Sequence, residues 1–196
     1  MILYLIRHGQ TDWNIEGKIQ GSCDIELNET GIMQAEELSK KVLASNVYFS
    51  KIYTSKQKRA LKTAQILSRA TKVDYIIANG LEEIGFGEWE GMTWNEIKLE
   101  YPSEFEQWYA DRRYHHPPKG ESHQAMLDRA LLAIHNIISD HQEDVAIVTH
   151  SAVIMSLQCY ITDTPINEMM KFRTENAAMI EIDSALIVKK FNPSAS

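Results

Sequence analysis

Ile2-Leu3-Tyr4-Leu5-Ile6-Arg7-His8-Gly9-Gln10-Thr11 is an apolar run that ends abruptly in a cation, an imidazole and a glycine. A short apolar run bounded by polar residues predicts a buried strand. Val145-Ala146-Ile147-Val148-Thr149-His150-Ser151 repeats the design, an apolar strand with a histidine at its carboxyl end. Fully apolar strands belong in the middle of parallel sheets. Ligands bind such sheets beyond the carboxyl ends of the strands, which is where His8 and His150 are predicted to lie. Gly9 is expected to free the backbone to turn and to let a ligand come close.

Outward from these strands the chain alternates. A polar loop, Gln10 to Glu26, precedes a helix starting at Leu27-Asn28-Glu29, with Asn28 as N-cap and Ala35, Leu38 and Val42 as its apolar stripe. Phe49 to Thr54 reads as a second strand running into a helix headed by Ser55-Lys56-Gln57-Lys58-Arg59-Ala60. A helix N-terminus favours anions, so Arg59 stands against its local preference and suggests a task, while Lys56, Lys58 and Lys62 read as a solvated face. Asp74 to Ala78 is a third strand. Leu81 to Gly91 is a loop dense in carboxylates, glycines and aromatics, whose glycine spacing does not fit a dinucleotide fingerprint.

Two short helical patterns, Trp94 to Tyr101 and Ser103 to Arg112, then interrupt the alternation. With Trp89, Trp94, Trp108, Tyr101, Tyr109 and Tyr114 they predict a lid, about 85–120, that covers the site. A long helix from Ser122 to Asp140, the strand at 145–148, a helix over Ala152 to Ile161 and a turn at Met169 to Arg173 follow. The last segments predict a hairpin, Ala177 to Ile182 with Leu186 to Phe191, and a frayed end over Asn192 to Ser196. The pattern as a whole predicts a single domain over residues 1–196. Its fold is expected to be a three-layer α/β/α sandwich around a mostly parallel sheet, with a helical insertion.

A net charge of -7 argues against nucleic acid and anionic membranes as partners. An anionic substrate remains possible, because screening over about 8–10 Å lets a few local arginines govern a pocket. Only Cys23 and Cys159 are present, in no metal or redox spacing, and the adjacent His115 and His116 would point apart in extended chain. Neither a metal nor another cofactor is expected. No apolar stretch approaches the ~20 residues of a membrane span, and the opening run is short and lacks a basic segment, so a soluble cytoplasmic protein is expected.

Two histidines at strand ends, Arg7 beside one of them, Arg59 at a helix start and Glu82-Glu83 at a strand-to-loop junction are the parts of covalent phosphoryl transfer. A neutral imidazole attacks phosphorus, arginines hold the non-bridging oxygens and a carboxylic acid protonates the departing alkoxide. The imidazole must keep one nitrogen unprotonated, and neighbouring cations lower its pKa from about 6.5. The expected partner is a small-molecule phosphate ester.

Arg7-His8-Gly9 with Thr11 and Asn14, Ser55 to Ala64 with Arg59, Leu81 to Gly91, Gly120-Glu121-Ser122 and Thr149-His150 together resemble the histidine phosphatase (phosphoglycerate mutase-like) superfamily. The likeness runs in order along nearly the whole chain. It implies His8 as phosphorylated nucleophile, with Arg7, Arg59 and His150 completing the phosphate pocket. Asn14 and Gln20 would add polar contacts, and Ser55 would lie close by. The family's leucine–any–glutamate pattern implies Glu83 as the acid, with Glu82 one residue away. Lys18 stands where many relatives have arginine, and Ser151 follows His150 where glycine is commoner, so Ser151 is a further candidate for substrate contact. The short insertion and the Phe86 to Gly91 run look most like α-ribazole or broad-specificity phosphatases. The resemblance also admits a cofactor-dependent phosphoglycerate mutase or a non-catalytic phospho-ligand binder.

Overall fold

The computed structural model describes residues 1–191. Five strands, β1 (Ile2–Arg7), β2 (Lys51–Thr54), β3 (Tyr75–Ile77), β4 (Val145–Thr149) and β5 (Met179–Asp183), form one sheet in the order β3-β2-β4-β1-β5. All neighbours are parallel except β5, which runs antiparallel to β1. The helices are α1 (Asp12–Ile15), α2 (Glu29–Ala44), α3 (Lys58–Thr71), α4 (Trp94–Glu100), α5 (Pro102–Ala110), α6 (His123–Asp140), α7 (Ser151–Thr162) and α8 (Ser184–Val188).

Alternation along the strands builds the three layers. Tyr4, Ile6, Ile52, Ala146 and Val148 meet Leu38 and Val42 of α2 and Ala60, Ala64 and Leu67 of α3 on one face. Leu3, Leu5, Tyr53, Val145 and Ile147 meet Met126, Ile134 and Ile137 of α6 and Val153 and Leu157 of α7 on the other. The successive side chains of one strand point to opposite faces, so each central strand must be apolar throughout. The register then sets the functional edge. Arg7 lies opposite Thr149 and Thr54 opposite Val148, so His8, Ser55 and His150 leave the sheet side by side.

The expected cap of α2 forms, and α6 has one as well. Asn28 Oδ1 accepts from the Gly31 N–H at 2.8 Å and Ser122 Oγ from that of Ala125 at 3.1 Å. The loop after β1 holds an additional short helix, α1, started by a reciprocal box between Thr11 and Asn14. Gly9 also makes room within the fold. A Cβ there would collide with the Gly31 carbonyl oxygen of α2.

The insertion is a 3₁₀ turn (Gly87–Trp89) followed by α4 and α5. It packs through an aromatic cluster in which Trp94 stacks on Trp108 at 5.3 Å and Trp89 meets Trp108 edge-on at 5.5 Å, geometries that ring quadrupoles favour.

The terminal hairpin is a misreading. Its first arm forms as β5, but Asp183 Oδ1 accepts from the Ala185 N–H at 3.0 Å and starts α8. Ile187 is buried with the α6 side of the core while Leu186 and Val188 stay exposed. An exposed–buried–exposed triplet fits either period, and the aspartate cap decides for helix. Asn192 to Ser196 lie outside the described residues. Among the described residues, no helix is long and apolar enough to cross a membrane.

Candidate active site

The carboxyl edge of β1 and β4 floors a cavity of about 250 Å³. Its wall includes Arg7, His8, Asn14, Gln20, Arg59, Glu83 and Ser151.

His8 is buried, its N–H bonded to the Thr149 carbonyl at 3.1 Å. Its Nδ1 lies 2.7 Å from the Gly9 carbonyl oxygen. A carbonyl only accepts, so Nδ1 carries the proton and Nε2 keeps its lone pair. Burial, then the Arg59 and Arg7 guanidinium charges, hold the imidazole well below its ordinary pKa and keep it neutral. The rings of His8 and His150 stand 5.2 Å apart. His150, the N-cap of α7, is wholly buried with neither ring nitrogen hydrogen-bonded, and it does not itself line the cavity. Burial first, and then Arg59, keep it neutral too.

Arg59, in the first turn of α3, is fully buried. Its Nη1 donates to the Cys23 carbonyl at 2.7 Å and its Nη2 to that of Gly21 at 2.9 Å. Each terminal nitrogen keeps a second N–H for an anion. Its oddity at a helix start is explained by this reach back to the loop after α1. Arg7 Nη1 donates to the Thr174 carbonyl at 2.6 Å.

Glu83 and Glu82 part company. Glu83 lines the cavity, and its carboxylate accepts from the N–H groups of Ile84 at 3.1 Å and Ala152 at 3.4 Å. Burial raises its pKa and outweighs the opposing pull of Arg59, those N–H groups and Arg7, which favours the protonated acid. Glu82 instead accepts from the Gly80 N–H at 2.7 Å and pairs with Arg129 at 3.7 Å and Lys56 at 3.5 Å. Ser55 does not line the cavity, and its hydroxyl accepts from the Gln57 N–H at 3.3 Å. Gln20 and Ser151 line it, and the Gln20 side-chain oxygen is buried without a protein partner. Asn14 Oδ1 accepts from Thr11 N–H at 3.1 Å and from Asn176 Nδ2 at 3.2 Å.

Several residues at the site escaped the sequence. Asn176 also donates to the His8 carbonyl at 3.1 Å, which ties the histidine's backbone to a loop 168 residues away. Arg129 donates to the Glu82 and Glu83 carbonyls at 2.8 and 3.0 Å and to Glu121 at 2.8 Å, fixing the loop that carries Glu83. Trp94 and Trp108, expected in the lid, close the cavity from the insertion together with Phe86 and Arg112, and His123 closes it from the start of α6. Arg112 lies over Trp108 and Tyr109 at 5.0 and 4.8 Å, with Nε buried and unpaired. Burial, aided by Arg112, pushes His123 down to about 3. Of the residues not foreseen, His123 had a visible signal, since it shares the apolar face of Met126 and Ala130. Among the described residues, no group of three or more His, Cys, Asp or Glu could hold a metal ion.

Residues 3–185 match the family model described as histidine phosphatase superfamily (branch 1). The solved structure of Bacillus stearothermophilus YhfR is 33% identical, with a TM-score of 0.84 over 93% of this chain and 90% of that one. The α-ribazole phosphatase from Shigella flexneri is 28% identical, with a TM-score of 0.83 over 93% and 90%. The phosphoserine phosphatase from Entamoeba histolytica, in complex with 3-phosphoglyceric acid, is 29% identical, with a TM-score of 0.80 over 92% and 89%.

Proposed function

The chain belongs to branch 1 of the histidine phosphatase superfamily and is a phosphomonoester hydrolase of small phosphometabolites, and from that premise we propose that it works through a phosphohistidine on His8 with Glu83 as proton donor. The observation that carries this is the Nδ1 bond to the Gly9 carbonyl, which leaves Nε2 as the lone-pair nitrogen in a cavity walled by Arg7 and Arg59. Nε2 forms a bond to phosphorus as the bond to the alcohol oxygen breaks, and that oxygen takes the Glu83 proton. Glu83, now a carboxylate, takes a proton from water as the water oxygen attacks phosphorus, the P–N bond breaks and His8 is restored. Arg7 and Arg59 hold the non-bridging oxygens, with His150 alongside. Asn14, Gln20 and Ser151 contact the rest of the ester. Ser55 supports the head of α3.

Labelled substrate quenched without acid is expected to leave label on His8, acid-labile and alkali-stable. Label on serine would defeat the mechanism. Glu83→Gln is expected to lose about 10²–10⁴-fold in kcat/KM on alkyl esters and much less on aryl esters, whose leaving groups need no proton.

The preferred substrate carries a second anionic group. Arg112 supports this, because it lines the cavity with an unpaired buried Nε and is held by Trp108 and Tyr109. The E. histolytica relative's 3-phosphoglyceric acid is such a molecule. A second reading, α-ribazole phosphate, is favoured by the stacked Trp94 and Trp108 at the cavity wall. Comparing kcat/KM for phosphoserine, 3-phosphoglycerate and α-ribazole phosphate in the native protein and in Arg112→Ala separates them. Selective loss on the two acids supports the first, and equal loss on all three overturns it. Transfer of label to a second phosphoglycerate rather than to water would mark a mutase.

A further inference from the structure

We infer that Gln57 is a positioning residue for the acid, coupling Glu83 to the loop that anchors Arg59; this rests on Glu83 being the proton donor. Gln57 occupies the N-cap of α3, yet its side chain makes no capping bond. Glutamine is a poor N-cap in any case, so nothing local explains a buried amide there. The side chain has been turned to another use. Its Oε1 accepts from the Glu83 N–H at 2.8 Å and its Nε2 donates to the Gly21 carbonyl at 2.8 Å. Because an N–H only donates and a carbonyl only accepts, one orientation of the amide satisfies both partners.

Gly21 is the junction. Its carbonyl accepts from Gln57 Nε2 and, at 2.9 Å, from Arg59 Nη2. One buried amide therefore bridges the backbone that presents the proton donor and the loop that orients a phosphate-binding guanidinium. The next residue in the acid's loop, Ile84, gives its N–H to the Glu83 carboxylate, so a shift of this backbone moves the carboxylate with it. Arg129 fixes the same loop from the opposite chemical side, through the carbonyls of residues 82 and 83. Gln57 supplies the only side-chain hydrogen bond described for the Glu83 N–H.

In the step that forms the phosphohistidine, the consequence is specific to proton donation. Removing the amide lets the acid drift but leaves Arg59 its two carbonyls, Gly21 and Cys23, and leaves His8 untouched. Displacement of a catalytic group by about 1 Å is enough for a loss on the order of 10²-fold. Gln57→Ala and the near-isosteric Gln57→Leu serve as independent variants, with Glu83→Gln as benchmark. The ratio kcat/KM, which ends at phosphohistidine formation, is read across a series of phosphate esters from p-nitrophenyl to alkyl. Both Gln57 variants are expected to lose about tenfold or more in kcat/KM on alkyl esters and less than about threefold on p-nitrophenyl phosphate. A uniform loss along the series, or none, while Glu83→Gln shows the steep dependence, overturns the role of Gln57 alone. A Glu83→Gln variant with no leaving-group dependence removes the acid itself and this inference with it.

Discussion

A histidine that attacks phosphorus needs a free lone pair, and a carboxylic acid that protonates an alkoxide needs its proton; His8 and Glu83 have their pKa values moved in the directions that serve both. His8 is lowered from 6.5 and Glu83 raised from 4.5. In the proposed mechanism the active form has neutral His8 and protonated Glu83. Hence kcat/KM should fall on the acid side only as pH drops through the lowered pKa of His8, below 6.5, and on the alkaline side as pH rises through the raised pKa of Glu83. A pH profile whose acid limb lies at or above 6.5 would contradict this. His8→Ala should abolish turnover and labelling together. Arg59→Lys keeps the charge but loses the planar fork that reaches the Cys23 and Gly21 carbonyls with separate nitrogens. Gly21 keeps its bond from Gln57, so the loss falls on the part-buried Cys23 carbonyl, and a bond left unmade there costs up to about 1–3 kcal/mol; this variant should show a lowered denaturation midpoint as well as a raised KM.

At the scale of the elements, the sequence was most readable where one period ran unbroken. β1, β4, α2, α6 and α7 came from apolar runs and stripes, and because β1 and β4 were legible the two histidines could be placed at strand ends. What sequence could not supply was register, since which residues face each other depends on the whole sheet. Asn176 illustrates the limit, as nothing nearby hints that a loop beyond α7 holds His8. Gln57 and Arg129 were hidden for the same reason. α8 was misread because three residues are too few to separate a period of two from one of 3.6. Ser55, carried over from the family likeness as lying close by, leaves the sheet beside His8 and His150, and its hydroxyl accepts from the Gln57 N–H just ahead of α3. The insertion gives an element-scale prediction. Trp108 is 3% exposed and touches Phe86, Trp89, Trp94, Phe105 and Tyr109. Trp108→Ala should cost about 3–5 kcal/mol, read as a lowered unfolding midpoint and as faster amide exchange over α4 and α5 than over the sheet.

For the molecule as a whole, three buried neutral imidazoles set the response to acid. His8, His123 and His150 all have folded-state pKa values below 6.5, so below that pH the unfolded chain binds more protons. Stability therefore declines as pH falls from 6.5 towards each folded value, by about 1.4 kcal/mol per pH unit for each histidine. Glu83 works in the opposite sense, because its raised pKa costs stability as pH rises above 4.5. Denaturant titrations between pH 7 and 5 should show the histidine slope, and His123→Asn should flatten it; an unchanged slope would assign the acid sensitivity elsewhere. The order of the strands has a temporal consequence. Of the five strands β1 is made first, yet its partners are residues 145–149 and 179–183, so its edges stay unpaired until nearly the whole described chain has been made. Contacts so distant along the chain close slowly, and an exposed apolar edge invites association with other nascent chains. Expression yield should thus depend on chaperone supply and growth temperature more than the stability of the finished protein would suggest.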